Sequence, residues 1–470
     1  MPTMSILGGQ LIPPEITSEI FIWCLPSTIH ATTYDQTFCI PLIGVSKTLD
    51  ISIPLSLSSV CKLWRVIAHS TPELWTSFKI YIPSSDFPEH IQYARQWLLR
   101  SGQLPLSIQI RTDPSESLKW RRTQVVELID LLNRHSHRWE SFDISVHPDL
   151  LPPGLFSKLT TILKAVSVFA DWSPSPFHPF YVWLLSIQCH NITCFTGRYV
   201  GVGQALEILR LFPNIREYSL ILLTSCYDNI PLPISPLNLT HLETLFVDIM
   251  DPMILDDVLP NIDAPSLKNF TYHGRDFSIS CDTIIAFPNR SGCLLNVFSL
   301  RYTSIDEMDI ILLLVAMPSL ETLILGPLSM DDITSVCQYD ESITDRMLDI
   351  LSDTADLSLH PHYGTFLPNL RSLEYIGFVS FSWEKIPLIF GEGRTKQNSS
   401  DSPATNRRPF DRLKLELYTP HLGHDPAIEN ISSELDHLCA EGYSIQISTN
   451  TKHRGKITRI KYYRSGLFNY

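Results

Sequence analysis

Apolar residues recur along the chain in one short pattern: apolar, two variable positions, apolar, one variable position, apolar. Segments such as "PNIREYSL", "PSLETLIL" and "PNLRSLEY" show it most clearly, usually after Pro-Asn or Pro-Ser. Because alternate positions share one side of a strand, each copy predicts a short strand with one buried face. The anchors of the clear copies are Ile215, Tyr218 and Leu220; Leu242, Leu245 and Val247; Leu267, Phe270 and Tyr272; Leu295, Phe298 and Leu300; Leu320, Leu323 and Leu325; Leu370, Leu373 and Tyr375; and Phe410, Leu413 and Leu415, with weaker copies at Trp139, Phe142 and Ile144 and at Leu163, Val166 and Val168.

The spacing of the copies indicates how the strands are connected. From Ile215 the first anchors are 27, 25, 28 and 25 residues apart as far as Leu320, and the next two steps are 50 and 40 residues. Apolar stripes at helix spacing precede several strands, at 202–212, 304–317 and 342–354. Leucine-rich repeats have about 20–29 residues and combine a strand with a helix or a looser return. The pattern predicts an α/β fold, a curved leucine-rich-repeat-like solenoid, in which the 50-residue step holds either an extra repeat or an insertion.

Composition narrows the classes of partner. The net charge is −13, with 36 basic and 49 acidic residues, which argues against nucleic acid because a phosphate-binding surface needs clustered Lys and Arg. The longest apolar run, at 310–317, is too short to span a bilayer, so no membrane partner is expected. Residues 1–12 lack the pattern of a signal peptide, and we expect a cytoplasmic or nuclear protein.

The sequence contains no complete motif for catalysis, cofactor binding or metal binding. The ten cysteines are scattered without a C-x-x-C pair, which favours reduced thiols over zinc ligands. The stretch "GRYVGVG" at 197–203 does not complete a nucleotide-binding loop, and the His pairs at 360–363 and 421–424 lack further ligands nearby. The sequence therefore predicts a non-catalytic protein without cofactor; an enzyme of another type would need a deep polar pocket.

Two short and strongly apolar segments precede the repeats. "IPPEITSEIFIWCLP" and "PLSLSSVCKLWRVIAHSTPELW" resemble the F-box, whose pattern runs Leu-Pro-x-Glu-Ile, then Val-Cys-x-x-Trp, and closes with Pro-x-Leu-Trp. Ile12 stands where that family usually has Leu, and the loop at 27–53 is longer than most F-boxes carry. The segments 94–110 and 128–144 look like those that follow the F-box in fungal, basidiomycete-type F-box proteins with degenerate leucine-rich repeats.

The resemblance implies an organisation and a function. It suggests an F-box domain at 8–80 with the long internal loop at 27–53, a helical connector at 81–135, and degenerate leucine-rich repeats at 136–470. The polar stretch at 391–408 is expected to be a mobile surface loop. In such proteins the F-box docks on a Skp-type adaptor of a cullin–RING (SCF) ubiquitin ligase, and the repeats bind the protein substrate. The chain would then be a non-catalytic substrate-recognition subunit.

The resemblance also assigns candidate contact residues. The expected adaptor-binding residues are Ile12, Pro13, Ile16, Ile20, Phe21, Leu25, Leu55, Leu57, Val60, Cys61 and Trp64. For Val60, Cys61 and Trp64, internal packing is the competing interpretation. Between the strand anchors, Phe246, His273 and Arg301 lie on successive strands at positions that face away from the core, and we take them as candidate substrate-binding residues.

Two points stay open at this level. The alternative function is a leucine-rich-repeat protein-interaction scaffold without a role in ubiquitination, in which the N-terminal helices only cover the end of the repeats. The sequence does not identify the protein substrate or show whether its recognition needs phosphorylation.

Overall fold

The chain is described by a computed structural model. It describes residues 5–7, 10–25, 52–82, 87–112, 122–145, 162–169, 190–224, 230–251, 253–326, 343–355, 366–391, 407–418, 426–453 and 456–464. The predicted loops at 27–53 and 391–408 lie almost entirely outside these residues. The chain divides into two compact units, one of residues Met1–Ile221 with Cys226–Leu232, the other of Leu222–Ser225 with Pro233–Tyr470.

The first unit begins with a hairpin and short helices. Strands β1 (Ser5–Leu7) and β2 (Gln10–Ile12) pair antiparallel. Helices α1 (Pro14–Trp23), α2 (Ser52–Val60) and α3 (Lys62–His69) follow, and then a 3-10 turn at Pro72–Trp75. Helices therefore form in both of the short apolar segments that precede the repeats in the sequence.

A parallel sheet follows in the described part of the first unit. Its strands pair in the order of the chain, each with the next. The elements are β3 (Ser77–Ile82), α4 (Phe87–Arg100), β4 (Leu106–Thr112), α5 (Arg122–Asn133), β5 (Trp139–Ser145), β6 (Ala165–Phe169), β7 (Cys194–Arg198), α6 (Val202–Leu211) and β8 (Glu217–Leu223).

The segment 81–135 differs from the helical connector that the resemblance implied. It holds α4 and α5, but also strand β4, which pairs with β3 and β5. Leu106, Ile108 and Ile110 alternate with polar residues and are at most 2% exposed, so this strand buries one face like the others. The parallel sheet thus starts at β3, upstream of residue 136.

The second unit holds the remaining described strands. Most of them form a parallel sheet in the order β10, β12, β13, β14, β15, β16, β17, and β18 is added antiparallel at the edge beside β17. Strands β9 and β11 pair with each other in a separate two-stranded parallel sheet. The elements are β9 (Leu237–Asn238), β10 (Thr244–Ile249), α7 (Ile254–Val258), β11 (Ile262–Asp263), β12 (Asn269–Ser278), α8 (Cys281–Ser291), β13 (Val297–Ser304), α9 (Glu307–Val315), β14 (Thr322–Gly326), α10 (Asp345–Asp353), β15 (Ser372–Phe378), α11 (Lys385–Leu388), β16 (Arg412–Tyr418), α12 (Pro426–Asn430), α13 (Ser432–Ala440), β17 (Ser444–His453) and β18 (Lys456–Arg464).

The strand anchors stack in register across this sheet. One row runs from Leu245 through Phe270, Phe298, Leu323, Leu373 and Leu413 to Ile445, and none of its members is more than 1% exposed. The predicted strands and their buried anchors are confirmed here, and the fold is α/β with predominantly parallel strands. Because β14 pairs directly with β15, the 50-residue step contains an insertion with α10 and adds no strand between them.

Candidate partner-binding sites

Helix α1 is built to start at a proline. Pro13 precedes the helix and Pro14 is its first residue, where the missing N–H costs no hydrogen bond. The hydroxyls of Thr17 and Ser18 donate to the carbonyls of Pro13 and Pro14, at 3.1 and 2.9 Å. Glu15 lies in the first turn, where a negative charge is favoured by the helix dipole.

One side of α1 packs inward. Thr17 and Phe21, four residues apart, are 0% and 1% exposed. The Phe21 ring contacts the ring of Trp64 on α3 edge to face, with 4.9 Å between the centroids. Phe21, expected as an adaptor contact, is therefore part of the interior between the helices, because a side chain this buried offers no surface to a partner.

The opposite side of α1 carries an exposed apolar stripe. Ile16 is 52% exposed, Ile20 39% and Trp23 85%, and their spacing of four and then three residues places them on one helix face. Ile16 and Ile20 were expected contacts. Trp23 was missed because it falls outside the F-box pattern, although its helix spacing from Ile16 and Ile20 would have indicated it. These three residues are called the α1 stripe below.

The junction of α2 and α3 exposes further apolar side chains. Cys61 is the N-cap of α3, and its Sγ accepts a hydrogen bond from the Trp64 backbone N–H at 3.4 Å. Val60 and Val66 are 61% and 64% exposed, and Cys61 is exposed as well. Val66 was not among the expected contacts. Of the other expected adaptor-binding residues, Pro13 is exposed. The rest are partly buried: Ile12, Leu25, Leu55, Leu57 and Trp64.

A pair of tryptophans, Trp75 and Trp97, connects the N-terminal helices with α4. Trp75 is fully buried, and its indole N–H donates to the carbonyl of Ala68 at 2.8 Å. Its ring meets that of Trp97 on α4 edge to face at 4.8 Å, and the Arg100 guanidinium lies 4.4 Å from its centroid. Helix α3 and the turn after it are thereby fixed against α4.

The candidate substrate-binding residues of the second unit lie together. Asp248, His273 and Arg301 occupy one register row on β10, β12 and β13. The Phe246 ring meets the His273 ring edge to face at 4.7 Å, and His273 meets Tyr302 in the same way at 5.1 Å. The structure thus brings the three predicted residues into one cluster on the polar side of the sheet.

Burial limits what this cluster can contact. Asp248, His273 and Arg301 are 2%, 4% and 3% exposed, while Phe246 is only half-buried. Phe246 is the member best placed to touch a partner, and the buried His273 packs against its ring. Whether the cluster binds a substrate stays a prediction.

Ion pairs connect Arg301 on β13 with Glu374 on β15 and, through it, with Lys414 on β16. Arg301 reaches across Gly326 on β14, where an added Cβ would lie 3.3 Å from Arg301 Cγ. Its Nη2 lies 3.6 Å from Glu374 Oε1, and Lys414 Nζ donates to the same oxygen at 2.7 Å. Burial lowers the pKa of Arg301, and the Glu374 carboxylate opposes that shift. Two cations, Arg301 and Lys414, therefore share one carboxylate oxygen of Glu374.

Other functional classes would need a metal-binding group, an enclosed pocket or a membrane-spanning helix. In the described ranges no three His, Cys, Asp or Glu side chains are grouped to hold a metal ion. An open groove between α4 and α5 is lined by Arg95, Val126, Glu127, Asp130, Leu131 and Arg134, whose four charged residues are exposed. None of the helices described has the length and apolar character needed to cross a membrane.

Comparison with models of known protein families gives no match, and comparison with curated proteins gives no match either.

Proposed function

We propose that the chain is the substrate-recognition subunit of an SCF-type ubiquitin ligase: its N-terminal helices form an F-box that docks on a Skp-type adaptor, and its repeats bind a protein substrate. The α1 stripe is the observation that carries the proposal. Exposed apolar stripes rimmed by polar residues are typical of protein interaction sites, and a stripe at helix spacing suits a partner that receives a helix. Full burial of an aliphatic side chain contributes about 1.5–3 kcal/mol, so covering the half-exposed Ile16 and Ile20 contributes about half of that each.

The repeat half of the proposal is supported by the sheets. Helix and strand alternate along much of the chain, and equivalent anchors stack in register, as expected for degenerate leucine-rich repeats in a solenoid. Because β3 and β4 join the same register as the later strands, we propose that the repeats begin near residue 77. The F-box and the first repeats would then be directly continuous.

A scaffold without a ligase role is the second candidate. The contact of Trp75 with Trp97 supports it, because the N-terminal helices pack on the first helix after β3 as a cap would. This candidate predicts that removal of residues 1–80 destabilises the remainder, and that no adaptor is captured by the folded full-length chain.

A pull-down with a purified Skp-type adaptor separates the two. The full chain is compared with Ile16→Asp, and with Leu99→Asp as the matched control, since Leu99 is 74% exposed on α4 and takes the same charge. We expect capture by the wild type and by Leu99→Asp, and loss of capture in Ile16→Asp with an unchanged circular dichroism spectrum. Equal capture by both variants would show that the α1 stripe is not the docking site; no capture by the folded wild type would favour the scaffold.

A further inference from the structure

The sheet of the second unit has a long strand at its edge. Strand β18 (Lys456–Arg464) pairs antiparallel with β17 and is the last strand of its sheet in the described part of the chain. In an edge strand, alternate residues direct their backbone N–H and C=O groups away from the sheet, where a further strand can pair with them. The outer side of β18, called the β18 edge below, is therefore a candidate interaction surface.

Three of the devices that close such an edge are absent from most of β18. Natural edge strands are often very short, interrupted by proline, or bent by a β-bulge. Strand β18 has nine residues and no proline. Its register with β17 shifts once, between Ile447 and Ser448, and the pairing then continues without a break from Ser448 opposite Lys461 to His453 opposite Lys456. Six consecutive residues of β18 thus form a regular edge, which is a length typical of paired strands.

The charge of this region is opposite to that of the rest of the chain. No Asp or Glu follows Glu441 in the sequence. Lys or Arg occurs there six times: Lys452, Arg454, Lys456, Arg459, Lys461 and Arg464. The residues up to Glu441 contain the remaining 30 basic and all 49 acidic residues. A block of one sign in a chain of the other sign indicates a partner of opposite charge.

The neighbouring strands add little negative charge. Strand β17 has no acidic residue, and the register rows that reach β18 cross a single carboxylate on β16, that of Glu416. Glu416 lies in the row of Ser448 and Lys461, and its charge also acts on Arg301. One carboxylate, shared in this way, is outnumbered by the four Lys and Arg residues of β18. The β18 edge is therefore positively charged.

Charge decides which strand this edge accepts. A second copy placed edge to edge would bring two basic strands together, and like charges on paired strands are destabilising. A nucleic acid would match the charge, but it would not pair with the backbone groups of the edge. An acidic polypeptide strand matches both.

We propose that the β18 edge binds an acidic extended segment of another protein by strand addition. The backbone of that segment pairs with β18, and its carboxylates balance the positive charge of the strand. The edge belongs to the second unit, and its role does not rest on adaptor binding by α1.

The test uses the full chain and three labelled peptides. The acidic peptide alternates Glu with Val, and the basic peptide has Lys in place of Glu. The third keeps the acidic sequence but is N-methylated at consecutive residues, which removes its backbone donors. Binding is followed by fluorescence anisotropy, and amide hydrogen exchange of the protein is measured with and without peptide. We expect only the acidic peptide to bind, to slow exchange over residues 456–464, and to bind more weakly at raised salt because exposed charges are screened.

Charge reversal on β18 tests the electrostatic part of the proposal. Arg459→Glu combined with Lys461→Glu should weaken binding of the acidic peptide about tenfold or more at low salt. The matched control is Arg346→Glu, which reverses an exposed charge on α10 of the same unit and should leave the affinity unchanged. Arg459→Gln with Lys461→Gln should give a smaller loss, and thermal unfolding shows whether these changes disturb the fold. The comparison of the acidic with the N-methylated peptide needs only the wild type.

Several results would overturn the proposal. Equal binding of the acidic and the N-methylated peptide would mean that charge alone attracts the peptide. Absence of binding of the acidic peptide, equal binding of the basic peptide, or unchanged affinity in the doubly reversed variant would remove the β18 edge as the site. A single-stranded oligonucleotide that binds the wild type more tightly than the acidic peptide would assign the basic strand to nucleic acid.

Failure here is distinguishable from failure of the ligase proposal. The doubly reversed variant should capture a Skp-type adaptor as the wild type does, and Ile16→Asp should bind the acidic peptide as the wild type does. Loss of both activities in either variant would mean that the two surfaces are not separate.

Discussion

The ring of Phe21 on α1 meets the ring of Trp64 on α3 edge to face, 4.9 Å between centroids. The contact fixes the rotation of α1, because it buries Phe21 and so turns Ile16 and Ile20 outward. A residue that resembles a family's contact position thus acts here by positioning its neighbours.

Phe21→Ala should therefore weaken adaptor capture indirectly. Loss of a buried phenyl ring costs about 3 kcal/mol, and we expect a lower unfolding midpoint together with reduced capture. Ile16→Ala, on the exposed side of the same helix, should reduce capture and leave the midpoint within error. Thermal unfolding followed by circular dichroism, run beside the pull-down, checks both. A Phe21→Ala chain with normal stability and lost capture would restore Phe21 as a direct contact.

Trp23 gives a sharper test of the α1 stripe. At 85% exposure its ring contributes little to folding, but large aromatic side chains often dominate interfaces. We expect Trp23→Ala to lower adaptor affinity about tenfold or more without a change in unfolding midpoint. Calorimetric titration with the adaptor measures it. Leu25→Ala is the control, because Leu25 lies close by but is partly buried. If Leu25→Ala lowered adaptor affinity as much as Trp23→Ala, the stripe would not be centred on Trp23.

The sequence predicted the strands because their signal is local. Leu245 and Val247 are two residues apart, as are Leu323 and Leu325. This is the spacing of residues on one face of a strand, and both pairs are buried. Strand β4 carries the same alternation at Leu106 and Ile108, but it lacks a preceding Pro-Asn or Pro-Ser, so the resemblance to a helical connector outweighed it.

Local sequence pattern does not predict how deeply the cluster of Phe246, His273 and Arg301 is buried. The environment of Arg301 depends on Glu374 and on the absence of a side chain at Gly326, which lie on other strands far along the chain. Position between strand anchors predicts that a residue faces away from the core. It does not predict how much of that face is accessible. The same holds for α9, where the neighbouring Leu312 and Leu313 are alike in sequence but are 54% and 1% exposed.

Glu374 should be the stabilising partner of the buried Arg301. Glu374→Gln removes the carboxylate that acts most strongly on the buried Arg301 cation and leaves only the weaker effect of Glu416, and breaking such a pair from one side costs about 3 kcal/mol. Lys414→Gln removes the other cation, which is 25% exposed, and leaves the Arg301–Glu374 contact in place, so we expect about 1 kcal/mol. Urea denaturation of the full chain measures both. If Lys414→Gln were the costlier change, Arg301 would not depend on Glu374.

The carboxyl group of Asp143 on β5 should make stability depend on pH. Burial raises its pKa, while Arg111, 3.6 Å away, and the amide of Gln109, which donates to it, act in the opposite direction. The folded chain then holds this proton to a higher pH than the unfolded chain does. Its contribution to stability is complete below the ordinary pKa of about 3.9 and is lost as pH rises through the folded value.

Asp143→Asn should consequently flatten the pH profile. The variant keeps an acceptor for Gln109 and cannot ionise, so we expect it to unfold at a higher temperature than the wild type at neutral pH and at the same temperature near pH 4. Asp130→Asn, at an exposed position on α5, is the control and should follow the wild type at both. A lower midpoint for Asp143→Asn at neutral pH would mean that its attraction to Arg111 exceeds the cost of burial.

The Arg408 side chain caps the C-terminal end of α10, although it lies more than fifty residues further along the chain. It is 7% exposed, and its guanidinium donates to the carbonyls of Leu351, Phe366 and Leu367 at 2.8, 2.7 and 3.0 Å. It also donates to the carbonyl of Thr354 at 3.3 Å. Leu351 and Thr354 lie at the C-terminal end of the helix, where carbonyls lack partners and a positive charge is favoured. Burial lowers the pKa of Arg408 to about 10, so the group stays charged at neutral pH.

Arg408→Lys should therefore not be a conservative change. A lysine has the charge but not the planar fork, so it leaves several buried carbonyls without donors, at a cost of about 2–4 kcal/mol. We expect faster amide hydrogen exchange over residues 345–355 than in the rest of the second unit, because the end of α10 loses its cap. Arg412→Lys, at a side chain that is 63% exposed, should change stability by less than about 0.5 kcal/mol. Unchanged exchange over α10 in Arg408→Lys would show that the helix end is held by its neighbours and not by this guanidinium.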